Sequence, residues 1–100
     1  MVKLMEIYES TQAHARNSDK KFSLREVYIN PQQVVCIRLE PSYKKLLMEG
    51  RLPTGLDDHH EFSRIYLNRG QSGIDVVVVG SPTNVENKLI LSRDKKLLKG

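Results

Sequence analysis

Asp57-Asp58-His59-His60-Glu61 is the one run in this 100-residue chain that concentrates metal-ligand residue types. Side chains alternate along an extended backbone, so Asp57, His59 and Glu61 would share one side there and Asp58 and His60 the other. Three such ligands can hold a divalent ion, but a protein site ordinarily recruits further ligands from elsewhere in the chain. The remaining histidine, His14, stands in a separate polar stretch, and a single cysteine excludes a zinc finger. The run reads as a solvated turn, and neither a metal nor a cofactor is expected.

The other residues capable of chemistry have structural readings beside the functional ones. Cys36 lies in Val34-Val35-Cys36-Ile37, where a buried, inert thiol is the ordinary outcome. Ser81 follows Gly80 and precedes Pro82, a spacing that makes it a helix cap rather than a nucleophile. One helix start without a Gly-rich fingerprint is a weak anion signal. No carboxylate pair has a suggestive helical spacing, so the chain is not expected to be an enzyme. Arg64, Tyr66 and Arg69 are different in kind. If Ile65 and Leu67 point inward, Arg64 and Tyr66 face the other way and Arg69 reaches the hairpin tip. Such a surface could grip phosphates or stack bases. Its competing readings are Tyr66 packed on Tyr28 across the sheet, and Arg64 covered by the inserted helix and paired with Glu49 or Asp57. Arg93, Lys95 and Lys96 add a basic C-terminal end, which serves solubility as readily as nucleic-acid contact.

The elements that must position these residues follow from pattern. Val2 to Glu9 reads as a strand with Val2, Leu4 and Glu6 on one face. Residues 10–20 are polar and should form a flexible loop. Phe22 to Ile29 is a second strand, with a phase slip at Arg25-Glu26 that would fit a bulge. Asn30-Pro31 turns the chain into a third strand, Val34 to Glu40, with Val35, Ile37 and Leu39 inward. Ser42 is the expected cap of a short helix, Tyr43 to Glu49, stopped by Gly50. With the loop after it, this helix makes an insertion of the length that often carries contacts. Arg64 to Leu67 and Ile74 to Val79 form a hairpin. Its second strand is apolar on both faces and so belongs inside a layer. Ser81 and Pro82 open a last helix with Val85 and Leu89 toward the sheet, and 92–100 form the basic tail.

One hundred residues make a single domain, 1–100, for which size scaling gives a folded surface of about 5,800 Å². A hydrophobic fraction of 39%, a charged fraction of 28% and a net charge of +4 are those of an ordinary soluble chain. No apolar run approaches the ~20 residues that span a bilayer, and the N-terminus lacks the form of a signal peptide. With no disulfide possible, a cytoplasmic location is expected.

Leu24 to Val35, LREVYINPQQVV, resembles the strand–Asn-Pro–strand start of the small flagellar and swarming-motility (FlbD-like) proteins. Phe62 to Leu89, with its Asn-x-Gly turn, valine-rich strand and Ser-Pro helix, is similar to their second half. The Tyr43–Glu61 insertion, the N-terminal extension and the basic tail depart from that pattern. The whole layout, above all YLNRGQSGIDVVVVGSP, also resembles short proteins of tailed phages that infect cyanobacteria. That likeness implies a phage-encoded protein acting in the host cytoplasm. Neither family brings catalytic residues to these positions.

The expected fold is α+β: about five strands in an antiparallel curved sheet or partial barrel, one short inserted helix and one C-terminal helix. The expected function is a non-catalytic protein-binding or regulatory accessory module. A nucleic-acid-binding regulator and a minor virion structural protein are the alternatives. The candidate contact surface is Arg64, Tyr66, Arg69, Arg93, Lys95 and Lys96. A doubly apolar fifth strand with only two short helices to cover it also raises homo-oligomerisation.

Overall fold

The computed structural model describes the chain except for 11–20, Thr54, Asp57, Asp58, Gly70, Gln71 and Gly100; at Arg69, Ser72 and 92–99 it describes the backbone alone. The elements are β1 (Val2–Glu9), β2 (Phe22–Ile29), a 3₁₀ turn (Pro31–Gln33), β3 (Val34–Leu39), α1 (Pro41–Met48), β4 (Phe62–Arg69), β5 (Ser72–Val79) and α2 (Pro82–Lys99). The strands form one open, curved sheet in the order β2-β1-β5-β4-β3, with every neighbouring pair antiparallel. The fold is α+β, as the order of hairpins and helices predicts. The expected loop at 10–20 falls, but for Ser10, on residues outside the description.

β5 takes the middle of the sheet because its residues are apolar on both faces. Val78 packs with Leu4, Ile29, Ile65 and Leu67 beneath Val85 and Leu89 of α2. Its neighbour Val77 packs on the opposite face with Ile7 and Phe62, where Tyr43 and Leu47 of α1 and Leu52 and Leu56 of the following loop cover it. Each helix thus takes one face, and the chain supplies its own cover for the centre of β5. One sheet with a single helix on each side is thin, and the molecule measures 49 × 33 × 19 Å. Its surface of 7207 Å² accordingly exceeds the size-scaling value.

Local chemistry fixes the ends of the helices. Ser81 Oγ accepts from the Asn84 N–H at 3.2 Å and Pro82 occupies the first helical position, so α2 starts as its sequence demands. α1 starts two residues earlier than Ser42 suggests: Pro41 takes its first turn and Glu40 is the N-cap. The Ser42 hydroxyl donates instead to Glu40 Oε1 at 2.6 Å. Gly50, at φ 71°, closes α1, with its N–H on the Leu47 carbonyl and that of Arg51 on Leu46.

The bulge also lies elsewhere. β2 pairs with β1 without interruption from Phe22 opposite Glu9 to Ile29 opposite Val2, so the slip in its hydrophobic pattern carries no backbone irregularity. The irregularity is in β3, between Val34 and Cys36, where the register against β4 shifts by one. Val35, expected inward, is therefore 65% exposed, and Leu39, at the strand's end, is 50% exposed; only Ile37 of that trio packs against the core.

Candidate functional site

Arg64 and Tyr66 stand on the α1 face of β4, two residues apart. Arg64 lies opposite Val77 on one side and Arg38 on the other; Tyr66 lies opposite Asp75 and Cys36. Two residues beyond Arg38, Glu40 faces the same way, and its N–H donates to the Phe62 carbonyl at 2.8 Å. That places carboxylates on two diagonals from Arg64, within reach of a long side chain. Arg64 Nε donates to Glu40 Oε2 at 2.9 Å and its Nη1 donates to Asp75 Oδ2. The Arg64 side chain is 27% exposed and that of Glu40 19%. The bond from Arg64, then that from Ser42, holds the Glu40 carboxyl below its ordinary range, while Glu40 and Asp75 fix the Arg64 proton still more firmly. Tyr43 of α1 sits above this group, and burial pushes its phenol upward.

This arrangement uses Arg64 to tie β3, β4 and β5 together. It is an ion-pair partner, as one reading of the sequence has it, but of Glu40 and Asp75; Glu49 pairs with Arg51 at 3.9 Å and Asp57 lies outside the described residues. Tyr66 does not meet Tyr28, because β5 and β1 separate β4 from β2. The Arg38 guanidinium carbon lies 6.0 Å from the Tyr66 ring centre instead, and Tyr28 is exposed. The side chains of Arg69, Arg93, Lys95 and Lys96 lie outside the described residues; the backbone of the last three belongs to α2.

The other half of this region is the free side of β3. Antiparallel strands alternate residues that bond the neighbour with residues that bond away from it. Glu40 bonds toward β4, and so by alternation does Arg38; Ile37 and Leu39 therefore aim their N–H and C=O groups away from the sheet. Beside Leu39, a cavity of about 240 Å³ is lined by Leu39, Glu40, Pro41, Lys44, Glu61 and Phe62. Lys44 Nζ donates across its mouth to the His60 carbonyl at 2.9 Å. A second hollow, of about 130 Å³, joins His59, His60 and Glu61 to Gly80, Ser81 and Asn84 at the start of α2. Both fall below the ~300 Å³ at which small-molecule sites begin. Among the described residues no three metal-ligand side chains come together.

Sequence reasoning misses this edge because alternation alone turns Val35 and Leu39 inward. The available signal is proline: β3 is bracketed by Pro31 and Pro41 and is the shortest strand, both habits of an edge. Among the described residues, no helix is long and apolar enough to cross a membrane. No protein-family model, no curated protein and no solved structure matches this chain.

Proposed function

We propose that this chain is a non-catalytic binding module, a regulatory accessory protein that docks on a protein partner along β3. One observation carries the reading: the backbone groups of Ile37 and Leu39 point away from the sheet and meet no partner among the described residues, flanked by the exposed apolar side chains of Val35 and Leu39. An edge strand is a template for another strand, and proteins usually guard it with charge or by shortening it. Here the bulge guards one end and the other stays apolar. The likeness to short phage proteins supports a phage origin and action in the host cytoplasm.

The nucleic-acid alternative draws on Arg64, Arg69, Arg93, Lys95 and Lys96, and the ion pairs of Arg64 with Glu40 and Asp75 count against the part of Arg64, since phosphate would have to displace both. A photo-crosslinking amino acid at position 39, compared with one at Glu26 on the β2 edge, tests the proposal in cells that produce the protein. The expected result is one protein adduct that forms from position 39 and not from 26. Adducts formed equally from both, or retention on DNA that falls steeply with salt, would refute it.

A further inference from the structure

We infer that the segment docking on β3 is an extended strand that sends one lysine or arginine side chain into the cavity beside Leu39. This rests on the docking reading above and specifies its partner. The bulge between Val34 and Cys36 breaks the edge on one side, and Pro41 turns the chain into α1 on the other. What remains is a short ladder at Ile37 and Leu39, the hydrogen-bonding half of a strand-addition site. A ladder alone has no sequence preference, so selectivity must come from where the added side chains go.

The cavity supplies it. At about 240 Å³ it is suited to one long side chain rather than a drug-sized ligand. Leu39 and the Pro41 ring offer apolar wall for a methylene stem. Two acidic residues, Glu40 and Glu61, also belong to its lining. Glu40 is anionic and bonded to Arg64 and Ser42. Glu61 is exposed, and its carboxylate has no ion-pair or hydrogen-bond partner among the described residues. The one cation of the lining, Lys44, is turned to the His60 carbonyl. With Glu40 bonded to Arg64 and Lys44 to the His60 carbonyl, Glu61 is the charge left to meet a ligand beside the apolar wall. An arginine or lysine satisfies both parts, whereas an acidic side chain would bring a second carboxylate beside Glu61.

Two fluorescein-labelled nonapeptides of alternating threonine and valine, one with a central arginine and one with a central glutamate, test this by anisotropy on the full chain. The arginine peptide should bind at least about tenfold tighter than the glutamate peptide. Glu61→Gln should weaken only the arginine peptide. Leu39→Pro, which removes an N–H outside the β4 ladder, should weaken it by about tenfold. Leu39→Lys keeps the backbone and adds a repelling charge, so it should weaken the arginine peptide even if the proline disturbs β3. Equal binding of the two peptides, or binding untouched by Glu61→Gln and Leu39→Lys, overturns the inference. So does a sedimentation-detected dimer that Leu39→Lys dissociates, because a second copy would then occupy the edge. If neither peptide binds while position 39 still crosslinks a protein partner, the basic-strand inference fails and the docking function stands; if both fail, the docking function fails as well.

Discussion

On the α2 side of the sheet, Ile65, Val78, Val85 and Leu89 form an aliphatic interior, and the two buried polar side chains among the described residues are tied down locally. Glu6 accepts from Arg25 Nε at 2.8 Å, and Ser63 Oγ donates to the Gly80 carbonyl at 2.7 Å. On the α1 side, Phe62 and Val77 share the space with Tyr43 and with the ion pairs of Arg64. The difference follows from the helices. α2 fully buries Val85 and Leu89, whereas α1 spans eight residues and buries none completely. A short helix that cannot be held by burial alone is held by aromatic edges, at 5.7 Å to Phe22 and 5.9 Å to Phe62, and by charge at its N-cap. The hold of α1 on the sheet should therefore respond to salt and pH through Glu40 and Arg64, whereas the aliphatic contacts of Val85 and Leu89 should not.

The largest effect should come from Phe62→Ala. Phe62 is fully buried and is the floor on which α1 rests, and such truncations cost about 3–5 kcal/mol, measurable by denaturant unfolding. Glu40→Gln comes next. It weakens the charged bond to Arg64 and should cost about 1.5–3 kcal/mol, a loss that shrinks in high salt. Val85→Ala on the other face should cost a similar amount but show no salt dependence. Equal salt sensitivity of the two variants would abolish the contrast.

pH sharpens it further. The Glu40 carboxyl is lowered on folding by Arg64 and Ser42, so its contribution is complete above about pH 4.5 and is lost as pH falls through the folded value below that. The Tyr43 phenol is raised by burial, so its contribution is complete below about pH 10 and is lost as pH rises through the folded value above that. Glu40→Gln should flatten the acid limb of a melting-temperature profile and Tyr43→Phe the alkaline limb, while Val85→Ala leaves both. The smallest effect belongs to Ser81→Ala, which removes the cap of α2 for about 1 kcal/mol at any pH.

Much of the fold is legible from residue order. Val77 and Val78 announce a strand covered twice, Ser81-Pro82 a helix start, and Gly50 a helix stop. The bulge is not legible, because β2 carries the irregular pattern and β3 the irregular backbone. Periodicity records which side chains are apolar; it is silent on which neighbour a backbone group bonds. For the same reason Arg64 is readable as facing away from Ile65, yet its partners are not. They depend on β3 and β5 flanking β4, which no local pattern encodes. The β3 edge is hidden likewise, since edges are a property of strand order.

The centre of the sheet has a temporal consequence. β1 joins β5 through Glu6 opposite Val78 and Ile7 opposite Val77, pairs about seventy residues apart along the chain. On the ribosome β1 and β2 can zip together early, but the inner side of β1 stays open until the last strand emerges. Translation speed across residues 30–79 thus sets how long a nascent hairpin with Leu4 and Ile7 uncovered is available to chaperones, or to the same hairpin on a neighbouring polysome chain.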